Sequence, residues 1–142
     1  MSIQFDKVQP KNKTQLKQLI NYAFKHNIYD LNFIDTSEIT DMSLLFSNCM
    51  HNFDVSSWDV SNVRNMGYMF YHCKNFNCDL SNWDVSKVKN MNYMFYNCKN
   101  FNCDLSDWDI SNMTRWKNIF CGCDKMTIPN WYKKLYIIKN KI

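Results

Sequence analysis

Trp-Asp-Val-Ser-Asn-Val, at residues 58–63, returns 25 residues later as Trp-Asp-Val-Ser-Lys-Val at 83–88 and again as Trp-Asp-Ile-Ser-Asn-Met at 108–113. A weaker copy, Ile-Asp-Thr-Ser-Glu-Ile at 34–39, begins 24 residues before the first. A fixed period of roughly 20–50 residues is the sequence signature of a repeat architecture. The sequence therefore predicts about four copies of one 24–25-residue unit.

Each unit mixes two hydrophobic periods. A Met-x-x-Met-Phe-x-x-Cys pattern, or a variant of it, recurs at residues 42–49, 66–73, 91–98 and 116–123. Its apolar positions are spaced i, i+3, i+4 and i+7, which is typical of one buried stripe of a short helix. Trp83 and Val85 instead alternate with Asp84, as the side chains of a strand do. The unit is therefore predicted to hold one short strand and one short helix.

Stacked units of this kind bury a shared core, with parallel strands on one face and helices on the other. The predicted fold is an α/β repeat solenoid, leucine-rich-repeat-like, with helical caps at both ends. We expect one compact domain, with an N-terminal cap at 1–29, four repeats at 30–126 and a C-terminal cap at 127–142. The first cap helix would begin at Thr14 as its N-cap, and the last near Pro129.

The motifs of the repeat resemble those of the BspA-like leucine-rich repeats. Trp-Asp-Val-Ser-x-Val, Met-x-x-Met-Phe-x-x-Cys and Phe-Asn-x-Asp-Leu-Ser together look like the Asn-rich, Trp-Asp-containing branch seen in mycoplasma surface proteins, other bacteria, protists and large DNA viruses. The resemblance covers roughly residues 28–126. It implies an adhesion or protein-interaction role and no enzymatic activity. The chain departs from the family in having Cys78 and Cys103 where glutamine is common.

The composition bears on location and partners. The first residues do not match an export signal, and no apolar run is long enough to span a membrane. We therefore expect an intracellular or virion-associated protein of a large virus or protist, with its seven cysteines reduced. The net charge of +4 is divided between basic ends and an acidic middle. This distribution argues against nucleic-acid binding, although the basic caps keep it as an alternative.

An aspartate recurs in every unit, and in parallel strands these carboxylates would lie roughly 5 Å apart. Each neighbouring pair would then repel by about 0.8 kcal/mol even in water. We expect each carboxylate to accept the backbone N–H of the serine two residues later, which would offset this repulsion. The alternative is that they bind a cation or a basic partner. The aspartates are Asp35, Asp59, Asp84 and Asp109.

The cysteines also recur, and we interpret them as small buried side chains of the core. A zinc site is the alternative, but no pair of Cys-x-x-Cys motifs and no histidine at ligand spacing supports it. His26, His51 and His72 lie at different positions of the repeat, and two glycines leave no phosphate-binding loop. We therefore predict no catalytic residue, no metal and no cofactor.

Function is predicted at the positions where the units differ. Four tyrosines, Tyr68, Tyr71, Tyr93 and Tyr96, would form one aromatic patch on adjacent units, a composition favoured at binding hot spots. A second, concave surface would bind a basic peptide. Its candidate residues are Phe33, Asn82, Asp107, Asp59, Asp84 and Asp109. The favoured function is a protein-interaction or scaffold module, and the other alternative is a self-associating structural component.

Overall fold

The backbone of the repeats is a series of turns, each bonded to the corresponding turn of the next repeat. The structure is a computed structural model, and it describes residues 6–141. Its two helices are α1 (Lys13–Lys25) and α2 (Asn130–Lys141). Between them, isolated parallel bridges join one repeat to the next, among them Asp41 with Asn65 and Asn65 with Asn90.

The prediction of an α/β, leucine-rich-repeat-like solenoid is therefore wrong. In the described part of the chain the repeats contain no helix, and the bridges do not extend into a sheet. The repeats share a set of tight turns. Some of their N–H groups bond to a carbonyl within the turn, and others bond to a carbonyl of a neighbouring repeat.

The predicted repeat helices fail because alternate N–H groups bond outside their own segment. In the first repeat, Met42 and Phe46 donate to the carbonyls of Asn65 and Met69, each at 2.9 Å. The intervening Leu45 N–H instead closes a turn onto the Met42 carbonyl, at 3.3 Å. Leu44 has a positive φ of 62°, which belongs to a turn and not to a right-handed helix. The side chains predicted to be buried from the i, i+3, i+4, i+7 spacing thus face the core, but from a backbone of turns and not from a helix.

The predicted strands fail for a related reason. Trp83 and Val85 are buried and Asp84 is exposed, as the alternation predicts. However, the Trp83 N–H bonds to the Leu80 carbonyl at 3.1 Å, and the Val85 carbonyl accepts the Val88 N–H at 2.9 Å. Because these groups close local turns, they are not free to form a ladder between strands.

Aromatic rings run through the core from repeat to repeat. Phe46, Phe70, Phe95 and Phe120, named here the Phe ladder, have successive ring centroids 5.7, 5.4 and 5.7 Å apart and nearly parallel planes. The indole N–H groups of Trp58, Trp83 and Trp108 each donate to a backbone carbonyl of the preceding repeat, as for Trp83 with Val55 at 3.1 Å. The packing of the core therefore follows the 24–25-residue period of the sequence.

The two helices flank the repeats. The N-cap of α1 is Asn12, whose side chain accepts the Gln15 N–H at 2.9 Å, and not the predicted Thr14. Helix α2 follows Pro129 as predicted and positions Trp131, whose indole donates to the Leu105 carbonyl at 2.8 Å. Trp131 thus continues the tryptophan series although it arrives two residues early in the sequence. Within residues 6–141, no helix is long and apolar enough to cross a membrane.

Candidate interaction surface

The four predicted tyrosines contact one another and form a two-by-two array, named here the tyrosine cluster. Tyr68 stacks on Tyr93 with centroids 4.9 Å apart, and Tyr71 stacks on Tyr96 at 5.3 Å. Within each repeat the rings are tilted and lie 5.4 and 5.5 Å apart. Tyr68 is 37 % exposed and the other three are half-buried. The array is thus a continuous aromatic surface with one edge in water.

Tyr68 and Tyr93 hold an unusual backbone conformation. Their φ angles are 57° and 55°, in the left-handed region that disfavours a bulky side chain. The fourth repeat has Asn118 at the same position, and asparagine tolerates this conformation well. Positions of this kind that carry bulky residues cost on the order of 1–3 kcal/mol and are concentrated at functional sites.

Two further residues border the cluster, and the sequence did not single them out for this surface. The Lys117 ammonium lies 5.8 Å from the centroid of the Tyr93 ring. The His72 ring packs against Tyr71 and Tyr96, with centroids 4.3 and 5.6 Å away. His72 has a positive φ of 58° at the second left-handed position of its repeat, where other repeats have asparagine or glycine. The sequence signal that could have pointed to His72 is its departure from the asparagine or glycine that other repeats have at this position.

The recurring aspartates adopt the predicted turn. The Oδ1 atoms of Asp35, Asp59, Asp84 and Asp109 each accept the N–H of the serine two residues later, at 3.0 Å. The hydrogen bond from Ser86 holds the pKa of Asp84 below its usual range, against the opposing repulsion from Asp109. At Asp84 the local hydrogen bonds therefore outweigh both the partial burial of the carboxylate and the weaker repulsion from Asp109. The predicted binding of a basic peptide here stays a prediction.

Asp84→Ala removes the acceptor of this turn and is expected to lower the free energy of unfolding by about 1 kcal/mol, the net value of one such hydrogen bond. Asp84→Asn keeps an Oδ1 acceptor while removing the charge, and it should stay much closer to the wild type. Urea unfolding at neutral pH measures both. Equal losses in the two variants would assign the effect to charge and contradict the turn's structural role.

A second series of aspartates makes the same turn. Asp54 and Asp79 accept the N–H of Ser56 and Ser81 at 2.9 and 3.0 Å. The Cys78 thiol of the next repeat lies 3.6 Å from Asp54 Oδ1. Sequence reasoning missed this series, although the Asp-x-Ser pattern occurs twice in each full repeat and could have shown it. Because each of these carboxylates accepts a backbone N–H of its own turn, we interpret the second series as structural, like the first.

The remaining predicted residues lie elsewhere. Asn82 and Asp107 are exposed, each directly before the tryptophan of its repeat. Phe33 is half-buried and lines a groove beside α1 together with Val8 and Leu19. The binding of a basic peptide by this set stays a prediction.

The cysteine prediction is confirmed for most of the series. The thiols of Cys73, Cys98 and Cys123 are buried and donate to the carbonyls of Phe46, Phe70 and Phe95, each at 2.9 Å. All seven cysteines are free thiols. Two exceptions are Cys49, which is half-buried, and Cys121, which is exposed. Residues 6–141 contain no cluster of three or more potential metal-ligating side chains.

Comparison with known proteins gives one family. The sequence model of a family described as "Mycoplasma protein of unknown function, DUF285" matches residues 14–131. No curated protein and no solved structure matches the chain. Because the match spans all of the repeats and well over half of the chain, the chain belongs to this family, which in broad terms is the BspA-like repeat family.

Proposed function

We propose that the protein is a non-catalytic protein-interaction module that binds its partner through the tyrosine cluster. The observation that carries this proposal is the stacked array itself, in which Tyr68 lies 4.9 Å from Tyr93 and Tyr71 lies 5.3 Å from Tyr96. The left-handed position also holds Leu44 in the first repeat and Asn118 in the fourth, so its conformation alone does not select tyrosine. The two middle repeats differ in placing aromatic side chains there, and Tyr68 is 37 % exposed.

The chemistry of the cluster suits a protein partner. Tyrosine offers a large apolar area, a hydroxyl for hydrogen bonding and little side-chain entropy to lose, which favours it at binding hot spots. Stacking of Tyr68 on Tyr93, at 4.9 Å, already orders the two rings before binding. Lys117 at the edge of the cluster adds a positive charge, so we expect acidic side chains on the partner beside its apolar contact.

The surroundings of the histidines support the absence of catalysis in this proposal. His26 packs on Tyr22 at 4.2 Å and His51 packs on Tyr29 at 4.9 Å. His72 lies against the tyrosine cluster. Each ring thus has an aromatic neighbour, and within residues 6–141 no imidazole hydrogen-bonds to a serine, threonine or cysteine side chain that it could activate as a base.

The double variant Tyr68→Asn with Tyr93→Asn, which installs the fourth repeat's own residue, is expected to lose its partner and to keep its fold. Relief of backbone strain offsets the lost stacking, so the free energy of unfolding should change by no more than about 1 kcal/mol. Affinity capture from the native host with quantitative mass spectrometry identifies proteins held by the wild type. Titration calorimetry with the purified partner then measures the loss of affinity.

Leu44→Asn is the matched control, because Leu44 occupies the same left-handed position in the first repeat, with φ 62° and 52 % exposure, outside the cluster. This variant should retain the partner. If the tyrosine double variant binds as tightly as the wild type, the cluster is not the interface.

We also propose a finer family placement and a location. The Asn-rich, Trp-Asp-containing motifs support placement in that branch of the BspA-like family. The buried thiols of Cys73 and Cys98 support a reducing compartment, such as the interior of a cell or infected host. Alkylation of the protein immediately on lysis of its native source, followed by mass spectrometry, would test this, since oxidised cysteines would contradict it.

A further inference from the structure

The fourth repeat ends the stack with a row of backbone N–H groups that have no carbonyl partner among the described residues. In each of the first three repeats, alternate N–H groups donate to carbonyls of the next repeat, at 2.7–3.0 Å. They belong to Met42, Leu44, Phe46 and Asn48, to Met66, Tyr68, Phe70 and His72, and to Met91, Tyr93, Phe95 and Asn97. The equivalent groups of the fourth repeat belong to Trp116, Asn118, Phe120 and Gly122, and none of them donates to a backbone carbonyl within residues 6–141. A row of unpaired donors of this kind is a template for a further peptide segment.

Helix α2 covers part of this row. Phe120 is 4 % exposed, and its ring lies 5.9 and 5.2 Å from those of Trp131 and Tyr132. Trp116 is half-buried and Asn118 is exposed, whereas the methionines at the Trp116 position of the first three repeats are 0 % exposed. The part that holds Trp116 and Asn118, named here the open edge, is therefore accessible.

A cavity of about 620 Å³ lies between the open edge and α2. Trp116 and Ile138 supply apolar surface to it, and Ile138 is 57 % exposed. Arg115, Lys117 and Lys139 supply positive charge, and none of the described lining residues is acidic. The cavity thus places apolar and basic side chains beside the unpaired N–H donors.

The elements around the cavity are basic as well. Helix α2 holds four lysines and no acidic residue. In the third repeat, the exposed Lys89 adjoins the open edge, since its carbonyl accepts the Thr114 N–H at 2.9 Å. Asp124 is the only acid of the sequence after Asp109, and its carboxylate lies 3.2 Å from the Lys99 ammonium. The occupant of the cavity is therefore expected to be acidic.

The hydrogen bonds of the third repeat indicate what kind of acidic group fits. There the Met91 and Tyr93 N–H groups donate to the carbonyls of two residues of the next repeat, Arg115 and Lys117, at 2.9 and 2.8 Å. The N–H groups of Trp116 and Asn118 are the equivalents in the fourth repeat. An occupant that satisfies both in the same way presents carbonyls of residues i and i+2, as a peptide segment does.

The repeat also indicates the side chains of such a segment. Arg115 and Lys117 are exposed and Trp116, between them, is half-buried. Side chains at equivalent positions of neighbouring repeats contact each other, as where the Asn90 amide donates to Asn65 Oδ1 at 3.0 Å. A segment that continues the stack therefore sets its two outer residues beside the basic side chains and its middle residue on Trp116. The matching sequence is acidic, apolar, acidic.

We propose that the open edge binds a partner segment of acidic-apolar-acidic sequence, which takes the place of a fifth repeat. The carbonyls of its two acidic residues accept the Trp116 and Asn118 N–H groups. Their carboxylates pair with Arg115, Lys117 and Lys139, and the apolar side chain packs on Trp116 and Ile138. This proposal does not rest on binding by the tyrosine cluster, although Lys117 borders both surfaces.

Two fluorescein-labelled, amidated peptides test the charge and the site. One is Ser-Glu-Leu-Glu-Ser, and the control is Ser-Lys-Leu-Lys-Ser. Fluorescence anisotropy with the 142-residue chain at up to about 500 μM, where weak contacts are populated, measures their binding. Arg115→Glu and Lys139→Glu each reverse a charge of the cavity. Arg64→Glu is the matched control, because Arg64 is the chain's other arginine, is exposed and does not line the cavity.

We expect the acidic peptide to bind and the basic one not to bind. Arg115→Glu and Lys139→Glu should each weaken binding by at least about tenfold, because repulsion replaces a charge-assisted hydrogen bond. Arg64→Glu should bind like the wild type, and circular dichroism melting verifies that all three variants remain folded. The variant Tyr68→Asn with Tyr93→Asn should also keep the peptide, so failure here is distinguishable from failure of the tyrosine cluster.

Amide hydrogen exchange followed by NMR tests the backbone bonds. At saturating acidic peptide, the Trp116 and Asn118 amides should exchange more slowly. The Lys117 amide is the internal control, because it already donates to Asn92 Oδ1 at 2.8 Å. Binding that leaves the Trp116 and Asn118 amides unchanged would overturn the proposal, as would equal binding of both peptides or equal loss in Arg64→Glu. Displacement of the peptide by a single-stranded oligonucleotide at a lower concentration than unlabelled peptide would assign the open edge to nucleic acid instead.

Discussion

Phe95→Ala is expected to lower the free energy of unfolding by about 3–5 kcal/mol, as is typical of removing a buried phenylalanine. Phe95 is 0 % exposed and occupies an inner position of the Phe ladder. Its ring centroid lies 5.4 Å from Phe70, 5.7 Å from Phe120 and 4.3 Å from Phe101. The cavity would therefore interrupt contacts between repeats on both sides. Since small domains are stable by about 5–15 kcal/mol, the loss would leave little or no folded protein at physiological temperature.

Urea unfolding monitored by circular dichroism measures this effect. Phe95→Leu is the matched control, because it keeps most of the buried volume and should lose clearly less than the alanine variant. A loss below about 1 kcal/mol for Phe95→Ala would mean that the site collapses around the cavity, and that the repeats do not depend on a continuous aromatic ladder.

The second large effect is a loss of stability at alkaline pH. Burial raises the pKa of the Cys73 thiol from 9.0 to about 12, and burial followed by the charge of Cys73 raises that of Cys98. The unfolded chain ionises its thiols near pH 9 while the folded chain keeps them protonated. Stability is therefore fully present below about pH 9 and is lost as pH rises toward the folded pKa values, by about 1.4 kcal/mol per pH unit for each buried thiol.

Cys98→Ser separates this effect from other alkaline titrations. The serine hydroxyl still donates to the Phe70 carbonyl, which Cys98 contacts at 2.9 Å, but it does not ionise in this range. Urea unfolding between about pH 8 and pH 10.5 under reducing conditions should show the same stability trend in both proteins below about pH 9, and above it a slope shallower by about 1.4 kcal/mol per pH unit in this variant. An unchanged slope would show that Cys98 ionises as readily in the folded state as in the unfolded state.

The candidate surface was partly predictable. The four tyrosines were expected to meet because they occupy equivalent positions of adjacent repeats, and the structure places Tyr68 on Tyr93 and Tyr71 on Tyr96. Their role in binding stays a prediction. The positive φ angles of Tyr68 and Tyr93 were not expected, because the hydrophobic spacing indicated a helix, in which every φ is negative. The groove beside α1 joins residues distant in sequence, and no local pattern indicates it.

The sequence by itself determined the period, the buried side chains and the aspartate turns. These follow from local chemistry: a 25-residue recurrence aligns like residues, as in Trp58 and Trp83, and a carboxylate reaches the N–H two residues later without help from the rest of the chain. Only the tertiary structure decided the backbone of each repeat. The Phe46 N–H bonds to the Met69 carbonyl, 23 residues onward, at 2.9 Å, and not to a carbonyl of its own segment. Hydrophobic spacing indicates which side chains are buried. A helix and a stack of turns bury the same residues at i, i+3, i+4 and i+7, so the spacing cannot distinguish them. The neighbouring repeat decides, because it supplies the carbonyl groups to which alternate N–H groups bond.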